Sequence, residues 1–414
     1  MSEIDNLYTA VLGLKAPWSV ERVETQLDAG EVHVTVALPK HTRWVCPECG
    51  AAAPIHDHQD RSWRHLDTCQ FHTIVHARVP RLNCPTHGIR QLKVPWAEPG
   101  SQFTAMFEAL AIDWLSQASV TAVSKHLRIS WDEASGIMER AVRRGLERRE
   151  AEVIKHVGVD ETSFAKRQAY VTVVADLERS RVLYVADDRS QAALDGYWAS
   201  LSHEHLVAIE AIAMDMCAPY IQSVMLNVPF ADERIVFDKF HIAQNLNQAV
   251  DQVRRTEHRR LSAEGDTVLK GTKFDWLRHP ASFTRAAGQA FDALRVQVHR
   301  VARAWELKET AMAIFDLKAA WAARRNFERW FAWAIRSQLE PIKRVARTLQ
   351  RYWDQIENYF RHRITNAGLE AINTKIQGVK RRSRGFRSRE RFKMAIYFHC
   401  GGLDLYPAGA AIRH

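Results

Sequence analysis

The chain has 414 residues, 46% of them hydrophobic and 26% charged, with a net charge of +10. This composition excludes an intrinsically disordered chain, and the lack of a bilayer-length apolar run or of a signal peptide at Met1-Ser2-Glu3-Ile4-Asp5 predicts a soluble, cytoplasmic protein. The length calls for two to four units and the basic balance favours a polyanionic partner; six cysteines, four of them outside any tight pair, argue for a reducing compartment.

The first hundred residues are rich in Cys, His, Trp and Pro. Residues 31–38 and 71–79 alternate as strands. Cys46-Pro47-Glu48-Cys49-Gly50 and Cys84-Pro85-Thr86-His87-Gly88 are each spaced so that two side chains grip one metal from a tight turn. Cys46, Cys49, Cys84 and His87 are therefore expected to hold a structural Zn2+ that stabilises a small β module, residues 1–98. The competing reading makes Cys46 and Cys49 a redox pair and Cys84 and His87 ordinary turn residues. Cys69 is expected to be a buried thiol.

After a linker at Pro95–Pro99, helical spacing runs from Phe103 to Leu115, then over 120–127. A longer helix starts near Trp131, with Ser130 and Glu133 as a capping box. This is a helix-turn-helix pattern, placed at 99–150, and Ser130, Arg140, Arg143 and Arg144 are its candidate DNA contacts.

From His156 the rhythm changes to strands at 156–164, 169–178 and 181–187, a helix at 191–202, a strand at 206–215, a helix at 218–227 and a strand at 234–240. That order predicts a multidomain α/β protein whose catalytic core, 151–242 with 356–414, is ribonuclease-H-like. Residues 243–355 read as a helical insertion, or alternatively as a separate helical domain packed on its neighbours. In this order Asp160 falls on the first strand and Asp215 at the end of the fourth, side by side. A carboxylate in such apolar surroundings costs several kcal/mol unless something pairs with it.

The last helix, about 366–380, packs through Leu369, Ile372, Ile376 and Val379. Asn366, Glu370, Asn373 and Gln377 share another face, and Asn366 is a candidate cap. Asp160, Asp215 and Glu370 from three elements are expected to hold two Mg2+ (or Mn2+) ions for an in-line displacement at phosphorus. Among competing acids, Glu161 should face the other side of the sheet and Asp176 is an auxiliary candidate. His241, ending the last strand, is either a contact to the scissile phosphate or a satisfied strand-end histidine. The basic run with Lys380, Arg381, Arg382, Arg384 and Arg387 is expected to seat flanking DNA backbone, apart from the helix-turn-helix that reads sequence.

With Cys-Pro-x-Cys-Gly, Gly158-Val159-Asp160-Glu161-Thr162-Ser163, Asp215-Met216, Asp238-Lys239-Phe240-His241, Asn366-x3-Glu370-x2-Asn373 and Lys380-Arg381-Arg382-x2-Gly385-Phe386-Arg387, the chain resembles bacterial insertion-sequence transposases of the ISL-three family. The resemblance implies that Asp160, Asp215 and Glu370 form a DDE triad. It also implies recognition of terminal inverted repeats, end cleavage, strand transfer into target DNA, a homo-oligomer (a dimer on DNA) and association with the nucleoid. One departure is His87, where the family has a second Cys-x2-Cys. Two other readings stand beside this one: a catalytically silent DNA-binding regulator, and a metal-dependent nuclease that cuts without joining.

Overall fold

The computed structural model describes residues 3–14, 16–39, 43–165, 169–365 and 367–409. It divides into two compact units, Met1–Glu150 with Val379–His414, and Ala151–Gly378.

The first unit begins with α1 (Glu3–Val11) and the strands β1 (Ser19–Gln26), β2 (Glu31–Ala37), β3 (Ile55–Thr68), β4 (Phe71–Cys84) and β5 (Gly88–Gln91). Their order is β1-β2-β4-β3, with β5 paired to β4. Alternation along β2 and β4 turns Val32, Val34 and Val36 with Val75, Ala77 and Val79 into one core. Trp96 closes it edge-on to Trp18 and Trp63, at centroid distances of 4.8 and 5.4 Å. Only β2 and β4 were expected. In β3, Trp63 and His65 are buried among exposed or half-buried polar residues, which hides the period in the sequence. Cys69 is exposed, not buried: it lies in the β3–β4 turn with φ +58°.

Helices α2 (Ala105–Gln117), α3 (Val120–Leu127) and α4 (Trp131–Arg148) follow where the spacing puts them. The capping box at Ser130 and Glu133 is formed in both directions.

The second unit is built on β6 (His156–Ala165), β7 (Ala169–Asp176) and β8 (Arg181–Ala186), then α5 (Gln191–Ala199), α6 (His203–Ala208), β9 (Ala211–Met214), α7 (Ala218–Asn227), α8 (Ala231–Arg234) and β10 (Ile235–Phe237). The sheet order is β10-β9-β6-β7-β8. β6, β7 and β8 pair antiparallel, whereas β6, β9 and β10 are parallel. The expected strand 206–215 is half helix, because the Ser202 hydroxyl caps α6 by accepting from the His205 N–H at 3.3 Å. The expected strand 234–240 stops at Phe237, and His241 is therefore helical.

Between Lys239 and His362 the chain is helical: α9 (Lys239–Ala263), α10 (Lys273–Leu277), α11 (Arg285–Gln297), α12 (His299–Ile314), α13 (Ala320–Arg336), α14 (Glu340–Arg351) and α15 (Trp353–His362). Its buried side chains, such as Trp276, Phe327 and Trp330, are continuous with Val157, Ile212 and Phe237 of the sheet. These helices therefore share one hydrophobic core with the sheet.

Two helices close the chain, α16 (Ala367–Arg382) and α17 (Arg389–Cys400). Residues 379–414 group with the first unit, whereas the expected core segment began at 356 and ran to 414. The cause is apolar: α17 packs on α4, burying Phe392, Ala395 and Ile396. No helix among the described residues is long and apolar enough to cross a membrane.

Candidate metal centre and nucleic-acid interface

Strand register builds the acidic centre. Val159 of β6 lies beside Met214 of β9, and Met214 beside Phe237 of β10. The residues that follow, Asp160, Asp215 and Asp238, therefore form the next row, at the carboxyl ends of β9 and β10. Ligand atoms of Asp160, Asp215 and His241 all lie within 4.8 Å of one another. His241 reaches the row because Asp238 ends β10 and caps α9, its carboxylate accepting from the Phe240 N–H at 3.1 Å. One turn on, His241 Nε2 lies 2.6 Å from Asp215 Oδ1.

The electrostatics follow from burial and crowding. Burial raises Asp160 to about 6, with the Asp215 charge adding to it. Burial also raises Asp238, and the Glu370 and Asp215 carboxylates push the same way. His241 is held above its ordinary value, chiefly by its bond to Asp215. The bond to Asp215 thus favours the charged imidazole, whose charge would offset part of the carboxylate crowding.

Helix α16 meets this row through polar side chains. Asn373 Nδ2 donates to Asp160 Oδ2 at 2.6 Å, and Gln377 Nε2 donates to Thr162 Oγ1 at 2.9 Å. Leu369, Ile372, Ile376 and Val379 are all buried, as their spacing predicts. Gly158 permits the approach: a Cβ there would lie 2.6 Å from Leu177 Cδ2 and 3.2 Å from Leu369 Cδ2. Glu370 is exposed on the first turn of α16, one turn before Asn373 and outside the tight cluster. Asn366 lies outside the described residues.

The centre suits a hard divalent cation. Its donors are mainly carboxylate oxygens, and their ligand atoms lie close enough together to share one cation. Asn373 Oδ1 is buried with no hydrogen-bond partner among the described residues, an acceptor that a cation's water could satisfy. Glu161 points elsewhere, toward Arg189 at 3.4 Å. Asp176 is no auxiliary ligand, since it is buried against Arg181 and accepts from the Glu178 and Arg179 N–H groups. The Asn373–Asp160 bond joins residues 213 positions apart, and in the sequence only the i, i+3 spacing that puts Asn373 on the face of Glu370 hints at a role for it.

The second cluster is Cys46, Cys49, Cys84 and His87. Cys49 Sγ is 3.7 Å from Cys84 Sγ, and His87 Nδ1 is 3.8 and 3.6 Å from the sulfurs of Cys46 and Cys84. Tetrahedral Zn2+ with ordinary bond lengths requires edges of about 3.8 Å between sulfurs and about 3.6 Å between sulfur and nitrogen. Backbone N–H groups of the two turns hold the Cys46 and Cys84 thiols below their usual range, favouring the thiolates zinc needs. His87 fits as the fourth ligand, and Glu48 lies 3.8 Å from its Nε2.

The proposed DNA contacts separate into two groups. Arg144 is buried, its Nε donating to Glu98 at 2.7 Å and its Nη2 to the fully buried Glu108 at 3.0 Å. Arg140 Nε donates to Glu108 at 2.8 Å. Both are held in intramolecular ion pairs, Arg144 the more deeply buried of the two. Ser130 is occupied as the helix cap. Arg143, Arg381, Arg382, Arg384 and Arg387 are exposed and Lys380 is half-buried. Arg384 and Arg387 line one groove with Ser119 and Trp131, at the starts of α3 and α4. The basic run and the helix-turn-helix are thus not separate surfaces.

Comparison with known proteins agrees with these features. Residues 157–396 match the family described as "Transposase" of ISL3 type, residues 42–87 the zinc-finger of transposase IS204/IS1001/IS1096/IS1165, and residues 92–142 the helix-turn-helix domain of transposase family ISL3. The transposase for insertion sequence element IS1557 of Mycobacterium tuberculosis is 28% identical, over 92% of both chains. The transposase for IS1001 of Bordetella parapertussis is 25% identical, over 95% of this chain and 98% of its own. A match over more than half the chain, joined to a zinc-finger and a helix-turn-helix of the same family, makes this protein a member of the ISL3 transposases.

Proposed function

We propose that the protein binds the terminal inverted repeats of an insertion sequence, cuts DNA at its ends and joins them to a target through Asp160, Asp215 and Glu370. The observation that carries this reading is the convergence of Asp160, Asp215 and His241 at the ends of paired strands, with Asn373 bonded to Asp160 from the helix that bears Glu370. The strand order supports a ribonuclease-H-like core.

Asp160, Asp215 and Glu370 would hold Mg2+ or Mn2+, which when bound neutralises phosphate charge and activates a water or a 3′-hydroxyl. Asn373 on Oδ2 and the Glu161 N–H on Oδ1 hold the Asp160 carboxylate in one orientation, with its remaining lone pairs facing Asp215 and His241 for the cation. His241, bonded to Asp215 beside Asp160, would contact the scissile phosphate. The zinc module and helix-turn-helix bring the ends to this centre. Assembly as a homodimer on paired ends, within the nucleoid, belongs to the same reading.

Incubation with labelled element ends and Mg2+ tests it. Strand-transfer products are the expected result; nicks without joining would reduce the activity to a nuclease, and binding alone would remove catalysis.

A further inference from the structure

The groove shared by the basic run and the helix-turn-helix has a volume of about 610 Å3. Its apolar lining comes from Val120, Trp131, Met138, Phe386 and Met394, and Arg384 and Arg387 stand on it as exposed cations. Neither arginine has a partner among the described residues. Trp131 opens α4 and keeps 36% of its surface exposed. Arg391 lies 4.4 Å from its ring centroid and 3.6 Å from Asp132.

We propose that this groove binds an unpaired nucleotide of the element end, its base against Trp131 and its phosphate on Arg384 and Arg387. The proposal rests on the end-binding reading above. The charge, three arginines against one carboxylate, Glu139, selects a polyanion. The volume is that of a pocket enclosing a small ligand, typically about 300–1,000 Å3. Bases in an intact duplex enter such a pocket only by leaving the stack. Duplex phosphates alone would meet the arginines and leave the aromatic and thioether surface unused. Stacking on an aromatic ring is tolerant of sequence, which suits a base read by its face and not its edge.

The test uses the full-length protein and element-end duplexes carrying a single extrahelical thymidine, moved stepwise along the end. At one position the wild type should bind the bulged duplex more tightly than the paired one, by about tenfold or more, as expected of one stacked base. Trp131→Ala should bring that ratio to about one, and Trp131→Phe should largely keep it. Arg384→Ala with Arg387→Ala should lower the salt slope of bulge binding by about 0.7 per lost contact. No bulge preference in the wild type, or one that survives Trp131→Ala, overturns the proposal. Failure of the wild type to bind the paired duplex at all would instead overturn the end-binding reading beneath it. Unchanged zinc content and circular dichroism establish that the variants fold.

Discussion

Replacing Arg144 with Ala should destabilise the first unit without acting as a DNA-contact mutation. The side chain is 7% exposed and ties Glu98 and the fully buried Glu108 together, and Nη1 also donates to the Leu405 carbonyl. Removing the guanidinium strands the Glu108 charge in the core, a loss of about 3–5 kcal/mol for a broken buried pair. Arg140 and the Ser101 hydroxyl, 2.8 Å from Glu108 Oε1, would recover only part of this. Urea unfolding should show an earlier transition, and hydrogen exchange should accelerate in α2 and α4. Combining Arg144→Met with Glu108→Leu should restore most of the stability, because an apolar pair of similar volume replaces a buried ion pair at little cost. If Arg144→Ala unfolds at the wild-type urea midpoint yet no longer binds element ends, the buried-network account is wrong and the guanidinium contacts DNA.

Asp160→Ala, Asp215→Ala and Glu370→Ala should each abolish cleavage while end binding persists, since affinity for DNA comes from cations elsewhere; wild-type cleavage by any of them removes that residue from the triad. Metal analysis after dialysis should find about one zinc per chain, and Cys49→Ser should release it and loosen the hairpin of β3 and β4; retention at full stoichiometry counts against the ligand set. His65, buried with Nδ1 2.9 Å from Thr104 Oγ1, is depressed by burial from 6.5 to about 4. Between those values the unfolded chain takes up a proton that the folded chain refuses, so stability falls as pH drops from 6.5 to about 4, by about 3 kcal/mol in all. Stability curves of wild type and His65→Gln should diverge across that window, and parallel curves would refute the assignment.

What the residues disclosed depended on how local the cause was. Asp160 and Asp215 stood out because each interrupts or ends an apolar run, and the buried face of α16 was legible from a spacing of three and four. Ser130 and Glu133 announced their own cap. The ion pairs of Arg144 were not legible, because its partners Glu108 and Glu98 lie 36 and 46 positions earlier. His241 was misplaced because β10 is only three residues long, too short for a period to register. The ends of α16 drew attention to Glu370 and the arginines, but the groove shared with α3 and α4 exists only after folding.

Gly158 sets a limit on how the centre can vary. A methyl group there would press on Leu177 and on Leu369, which is fully buried and directly precedes Glu370. Leu177 would have to turn aside, and Leu369, packed under α16, would have to give by a few tenths of an ångström, which eases Asn373 and Glu370 from β6. Displacement on the scale of an ångström can cost a reaction about a hundredfold in rate. Position 158 therefore acts as a spacer for the whole helix. On the proposed function, substitution there would attenuate transposition in graded steps with every acidic residue still in place, and a copy quietened in this way would keep its acidic motif while rarely moving.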